Sequence, residues 1–305
     1  MESPRMRAVR LDFRKYSSVY LMLLPVVAFY AVFHYGPMYG AMIAFKDFVP
    51  SLGIMGSDWV GFRNFADFFS SHYFFRVVRN TFAISALDLA FGFPAPIVLA
   101  LLLNEARGNF FKRAVQTVTY LPHFISIMVI CGLLLDFTMS AGLINDLIAF
   151  FGGERDNLLL KPELFRPIYI ASNIWKESGW NSIIYLAALS GIDQQLYEAA
   201  TVDGASRFQK LIHVTLPGLM PTIVVLFILR MGSIMNVGFE KIILLYNPTT
   251  YEVADVVSSF VYRRGLLEMS YSYSAAVGLF NSLINFTLLS FTNWFSRRVN
   301  DTSLW

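Results

Sequence analysis

Tyr197-Glu198-Ala199-Ala200-Thr201-Val202-Asp203-Gly204-Ala205, running on to Thr215-Leu216-Pro217, decides how this chain is read. It is a polar, helix-prone loop set between two long apolar segments. Glu-Ala-Ala favours a helix. Gly204 then permits a backbone turn that other residues resist, and a positive φ is expected there. A second amphipathic stretch follows, with Phe208, Leu211, Ile212 and Val214 apolar and Arg207, Lys210 and His213 polar. Pro217 is expected to close it at the first turn of the next apolar segment, where a missing N–H costs little. A short helix–turn–helix at the mouth of a membrane bundle is shaped to dock into a groove on another protein.

The rest of the composition agrees with a membrane bundle. The 305 residues are 56% hydrophobic, 16% aromatic and 15% charged, with a mean hydropathy of +0.53. Soluble domains carry about a quarter charged residues. The net charge of +3 comes from scattered basic residues, which argues against a nucleic-acid partner. The one cysteine, Cys131, lies in an apolar run and reads as a packed thiol.

A spanning helix needs about 20 predominantly apolar residues. Spans are expected near 17–38, 80–103, 117–139, 167–190, 217–237 and 274–295. The first is too long for a signal peptide and lacks an A-x-A cleavage site, so it reads as a retained anchor. Basic residues of the N-terminal tail (Arg5, Arg7, Arg10, Arg14, Lys15) alternate along the chain with Arg107, Lys112 and Arg113, then Arg207 and Lys210, then Arg297 and Arg298. All these segments fall on one face, expected to be cytoplasmic. The organisation is then a cytoplasmic tail 1–16, a six-helix permease domain 17–295 containing the loop 191–216, and a cytoplasmic tail 296–305. Pro37, Pro122 and Pro221 are expected at helix ends, and Pro94 and Pro96 are expected to bend the second span. Loop 40–79 interleaves aromatics with charges, a pattern that fits the membrane interface.

The loop resembles the coupling loop, or EAA motif, of the membrane subunits of binding-protein-dependent ABC importers. Glu198, Ala199, Ala200, Asp203, Gly204, Ala205, Leu216 and Pro217 stand at the family's offsets. Val214 stands where isoleucine is usual and Leu211 where phenylalanine is common. Leu24-Pro25, His34-Tyr35-Gly36-Pro37, Ala44-Phe45-Lys46-Asp47, Arg79-Asn80-Thr81, Leu103-Asn104-Glu105, Tyr120-Leu121-Pro122-His123-Phe124-Ile125-Ser126, Gly142-Leu143-Ile144-Asn145, Tyr185-Leu186-Ala187-Ala188-Leu189 and Tyr262-Arg263-Arg264-Gly265-Leu266 look like carbohydrate-importer permeases of the oligosaccharide type.

The resemblance implies an all-α membrane protein of the type I ABC importer fold, with six transmembrane helices and a cytoplasmic coupling helix. It implies a bacterial inner-membrane location with both termini cytoplasmic. Its implied partners are a second related permease, an ATPase dimer, an extracytoplasmic solute-binding protein, an oligosaccharide and membrane lipid. ATP and Mg would be bound by the ATPase, with no cofactor in this chain. Glu198, Ala199, Ala200, Asp203, Gly204, Ala205 and Phe208 would contact that ATPase. The chain has no G-x-x-x-x-G-K-[ST] phosphate loop, so it is not itself the ATPase. His34, His72, His123 and His213 are far apart, and no metal or triad spacing is present.

Ionisable residues inside spans suggest function. Asp88, Lys176, Glu177 and Arg230 qualify. Lys176, Glu177, Trp180 and Asn181 lie on the span entering the loop, and Arg230 and Ser233 on the span leaving it. In the resembling importers these two helices line the path, and Trp180 and Asn181 suit a sugar ring and its hydroxyls. The same residues also admit a bracing role, with Glu177 pairing Arg230 or Lys176. Asn281, Ser282 and Asn285 admit helix bracing likewise. Arg230 and Lys176 suit an acidic chain such as a uronate, while Glu177 and Asp88 offset that bias. Other readings are an ABC importer for another solute such as a peptide, a secondary carrier, and a non-transporting sensor. The absence of an internal repeat disfavours a carrier.

Overall fold

The structure is a computed structural model and describes residues 15–300 and 303–304. Arg5, Arg7, Arg10 and Arg14 of the basic tail lie outside the described residues. Five helical stretches are long and apolar enough to cross a membrane: Ser17–Phe45, His72–Glu105, Ile127–Phe150, Arg207–Met231 and Tyr271–Arg298. The helix Pro162–Ser190, 29 residues long, spans about 43 Å at 1.5 Å per residue. It is the sixth long helix, and Arg166, Lys176 and Glu177 lower its hydropathy.

The 17–45 stretch buries no residue within its apolar window. A helix apolar all round needs lipid or another subunit against it. The 72–105 stretch packs along the 162–190 helix. Ala100, Leu103, Tyr185, Leu189 and Leu219 are buried near the 191–215 end, and Asn80 meets Arg166 near the other. Pro94 follows a widened turn, Asp88–Gly92, in which Phe93 N–H donates to the Asp88 carbonyl at 3.0 Å. That i→i+5 turn accommodates the proline within a helix that otherwise continues.

Several expectations need correction. The third span is not one helix: Asn109–Tyr120 and Ile127–Thr138 are separate. Pro122 sits in a tight turn, and extended Ile125 and Ser126 break the path. The Ser126 hydroxyl caps the new helix by accepting from Val129 N–H at 3.4 Å. The fifth span stops at Met231 instead of 237, and Pro221 lies inside its helix. Pro217 ends nothing, because residues Leu211–Thr215 carry the helix of Arg207–Lys210 directly into Leu216–Met231. Pro37 likewise sits within the 17–45 stretch. At the C-terminus, the helix Tyr271–Asn300 runs on through Arg297 and Arg298, beyond the expected end of the span at 295.

The segments read as loops are folded. Lys46–Asp47 pairs antiparallel with Asp58–Trp59, the single departure from an all-α chain among the described residues. Phe68 is fully buried with Val77, Val257, Phe260 and Val277, so part of loop 40–79 belongs to a core and does not lie along an interface. Asn145 ties the 139–156 turn together. Its amide donates to the Met139 and Asp156 carbonyls at 2.8 Å each, and its oxygen accepts from Asp156 N–H at 3.0 Å. The hydrogen bond from Lys161 holds the Asp156 carboxyl below its usual range.

Residues 232–270, between the last two long helices, form the short helices Phe239–Leu245, Tyr251–Ala254 and Val257–Tyr262. Asp255 anchors this insert. It is fully buried and accepts from Arg263 at 2.7 Å, Arg76 at 3.3 Å and the Ser259 hydroxyl at 2.9 Å. Asn80 donates to the Glu252 and Asp255 carbonyls. Removing one partner of a buried charge cluster strands the others, at about 3–5 kcal/mol. Asp255→Ala should therefore lower the thermal unfolding midpoint of the solubilised chain strongly. Glu252→Gln, at an exposed pair, should change stability by about 1 kcal/mol or less. Equal midpoints for the two variants would contradict the anchor.

Candidate functional site

Two sites emerge. The first is the loop itself. Asp193 caps the helix Gln194–Val202 by accepting from Gln195 N–H at 2.9 Å. Gly204 ends it with φ +75°, and Ala205 N–H returns to the Ala200 carbonyl at 2.9 Å. This is a left-handed helix C-terminus, the conformation glycine supplies at little cost. Ser206 and Gln209 then form a reciprocal capping box that starts the next helix. Two cross-links hold the halves of the loop together: Lys210 Nζ donates to Thr201 Oγ1 at 2.7 Å, and the Tyr197 hydroxyl lies 3.0 Å from Thr215 Oγ1.

The outer side of this loop is bare. Glu198, Ala199, Asp203 and Gly204 are exposed, and Ala200 and Ala205 are half-buried. Val202 and Phe208 are 88% and 68% exposed. Glu198 has no hydrogen-bonded or ion-paired partner among the described residues. A rigid, capped loop showing small residues, one carboxylate and two bare apolar side chains has the shape of a surface that fits a groove.

The second site is a cavity of about 750 Å³ at the middle of the bundle, within the size range of small-molecule sites. Asp88, Lys176, Glu177, Asn181, Arg230 and Ser233 line it. Lys176 lies midway along the 162–190 helix, about 20 Å from either end. Arg230 was expected in mid-helix. It lies in the last turn of Leu216–Met231, where the helix dipole favours a cation.

Glu177 is not the partner of Arg230. Asp88 accepts from the Arg230 guanidinium instead. Glu177 receives Lys176 Nζ at 2.5 Å on one oxygen and lies 3.0 Å from His123 Nδ1 on the other. Trp180 is not among the lining residues; it stacks on the His123 ring, with centroids 4.6 Å apart and planes 2° apart. The helix places residues 176, 177 and 181 towards the cavity and carries 180 round to the broken segment at Pro122–Ser126. Asn281 and Asn285 brace: both amides donate to Asn236 Oδ1, and Asn285 Oδ1 accepts from Met235 N–H. Ser282 donates within its own helix.

Sequence reasoning missed Lys241, Asn173, Asn236 and Glu240, which also line the cavity. Lys241 is buried and donates to the Tyr169 carbonyl at 3.0 Å, Ser172 Oγ at 2.7 Å and Asn173 Oδ1 at 2.5 Å. Its one sequence signal is its place at the head of Ile242-Ile243-Leu244-Leu245, an apolar run too short for a span.

A six-helix bundle with a capped loop at one end and a charged cavity at mid-depth is the type I permease architecture of ABC importers. The chain belongs to the family described as binding-protein-dependent transport system inner membrane component, whose model matches residues 92–301. It is similar to the polygalacturonan/rhamnogalacturonan transport system permease protein YteP of Bacillus subtilis (strain 168). That relative is 46% identical over 298 residues, 97% of this chain and 92% of YteP. Protein LplB of the same organism is 45% identical over 287 residues, 94% of this chain and 90% of LplB. A solved bacterial ABC transporter involved in the import of the acidic polysaccharide alginate contains a chain 45% identical, with a TM-score of 0.89 over 96% of this chain and 99% of that one. A second structure, of the alginate transporter in complex with alginate pentasaccharide-bound periplasmic protein, matches at the same TM-score of 0.89 and covers 98% of its chain.

No atom lies within 4 Å of where a Gly204 side chain would begin, so a substitution there tests the backbone and not the packing. Left-handed geometry costs an ordinary residue roughly 1–2 kcal/mol, and asparagine tolerates it better. Gly204→Val should raise amide hydrogen exchange across 199–210, whereas Gly204→Asn should leave it near wild type. Equal exchange in both variants would remove the conformational role.

Proposed function

We propose that this chain is one permease half of an ATP-driven importer, and that its cavity forms part of the path for an acidic oligosaccharide handed over by a solute-binding protein. Three cations, Lys176, Arg230 and Lys241, line the cavity beside three carboxylates, Asp88, Glu177 and Glu240. The observation that carries the substrate class is therefore the near-full-length likeness to permeases of uronate importers. Galacturonan and alginate, the polymers of two near-full-length relatives, are uronate chains. The 191–216 loop docks a cytoplasmic ATPase dimer that binds ATP and Mg, and both chain termini lie on that side. Glu198 meets an arginine or lysine there, with Ala199, Ala200, Asp203, Gly204, Ala205 and Phe208 filling the groove. A second related permease closes the other wall of the path. ATP binding and hydrolysis switch the pair between outward and inward states as rigid bodies, with the capped loop as the lever.

On this reading Arg230, Lys176, Glu177, Asn181 and Ser233 face sugar, while Trp180 supports the wall through His123. A planar guanidinium grips a carboxylate through two bonds, which an ammonium does not. Such charge-assisted bonds are worth about 1.5–3 kcal/mol. In proteoliposomes holding the whole complex, Arg230→Lys should cut uptake of a galacturonate pentasaccharide by about tenfold, with normal assembly and normal uptake of its carboxyl-reduced, neutral form. Glu198→Ala should lower uptake of both sugars alike and weaken ATPase docking, since breaking a buried interfacial pair costs about 2–5 kcal/mol. Equal import of both sugars by wild type and Arg230→Lys would refute the acidic substrate. Normal uptake and docking in Glu198→Ala would refute the loop assignment.

A further inference from the structure

Asp88 sits where a substrate carboxylate would be expected to sit. It is the first residue of the widened Asp88–Gly92 turn, and its carboxylate accepts from Arg230 Nη2. The two side chains differ in exposure, Asp88 being 13% exposed and Arg230 44%. Arg230 therefore keeps an open face towards the cavity while Asp88 approaches it from the wall. The missing side chain at position 92 makes room for this: a Cβ there would lie 2.8 Å from Asp88 Oδ1.

Asp88 also has somewhere to go. Its Oδ1 lies 3.5 Å from the Asn173 amide. The Asn173 oxygen accepts from Lys241 Nζ at 2.5 Å. Among the described residues Lys241 has no carboxylate partner; its three hydrogen bonds go to neutral acceptors and its ammonium lies over the Tyr169 ring. The order along the wall is thus Arg230, Asp88, Asn173, Lys241. If Arg230 is taken by another anion, Asp88 remains beside a neutral donor with a cation directly behind it. Stranding a buried charge is costly, and this arrangement avoids it. The other ionic pair of the cavity differs, since Glu177 is held from both sides by Lys176 and His123.

We propose that Asp88 is a specificity-determining residue: it occupies the Arg230 guanidinium while the path is empty and yields it to a uronate carboxylate. The strength of the resident pair sets how far the path prefers acidic over neutral sugar. This rests on the acidic-oligosaccharide reading above. A site available only part of the time binds more weakly by the fraction available. Emptying it should therefore tighten binding of acidic sugar and leave neutral sugar untouched.

The test is calorimetric binding of a galacturonate pentasaccharide, and of its carboxyl-reduced form, to the purified whole complex without binding protein. Asp88→Asn should bind the acidic sugar about three- to tenfold more tightly than wild type, with the neutral sugar unchanged. Asp88→Glu should stay near wild type. Unchanged acidic binding in Asp88→Asn, or equal changes for both sugars, would overturn the inference. So would loss of assembled Asp88→Asn complex while Asp88→Glu assembles, because the pair would then be a helix brace. A wild-type complex with no preference for the acidic sugar would overturn the substrate reading itself, and the inference with it. A wild-type preference that Asp88→Asn does not alter would overturn the inference alone.

Discussion

The ion pair between Arg230 and Asp88 is the constraint around which the middle of the molecule is arranged. Arg230 lies in the last turn of the stretch Arg207–Met231, and the residues beyond it fold back against the bundle. Backbone freed there must be satisfied within the protein. Asp88 supplies the counter-charge to Arg230 from a turn widened ahead of Pro94. The turn after Met231 is received by the last helix, through Asn281 and Asn285 on Asn236 and through Asn285 on Met235 N–H. The Ser85 hydroxyl donates to the Ile234 carbonyl from the opposite wall. Helix 239–245 then enters the bundle, with Lys241 held by three neutral acceptors of the 162–190 helix. A polar wall at mid-depth is thereby built from four separate parts of the chain.

The same logic separates the two ends of the molecule. At the 191–215 end, caps at Asp193 and Ser206 and the left-handed Gly204 use local hydrogen bonds to stiffen the loop, leaving its outer side chains unengaged. At the far end, Asp255 with Arg76 and Arg263 binds the 232–270 insert to the second long stretch, beside the aromatic core of Phe68, Phe74, Phe260, Tyr273 and Phe280. One end is stiff and open to a partner, and the other is tied shut by buried charge and aromatic packing. A rigid-body switch needs both, since a lever that bends transmits little.

Much of this was legible in the residues, and the failures have physical causes. Helical periods and apolar length revealed the long helices, because those signals are local. The loop was readable for the same reason: a cap, a glycine and a helix former act within a few residues of one another. Pro94 lies inside its span and Pro122 at a helix end, as the residues suggest. Pro217 misled: it sits within a continuing helix because a widened turn precedes it, and composition does not announce a widened turn. Extended residues after Pro122 break the third span, which apolar length alone does not reveal. The pairing of Arg230 was misread because Glu177 was near in the expected bundle, whereas Asp88 reaches it only through that widened turn. Lys241 escaped notice because a short apolar run in a presumed outer loop carries no sign of folding back into the core. Partners 72 and 142 residues apart, such as Tyr169 with Lys241 and Asp88 with Arg230, are products of topology, which local patterns do not encode.

The central claim is that the mid-depth cavity is the sugar path, and one cysteine serves to test it. Cys131, the sole native cysteine of this chain, is only 1% exposed, so a thiol placed at the exposed, cavity-lining Asn181 would be the one reactive thiol of this chain, its labelling read on this subunit alone. The measurement is the rate at which a small, water-soluble thiol reagent modifies Asn181→Cys in the assembled complex, with and without saturating galacturonate pentasaccharide. The account predicts slow, substrate-protected modification, with protection lost on adding Arg230→Gln. A rate indifferent to the sugar, in a complex that still imports it, would place the path elsewhere and contradict the account.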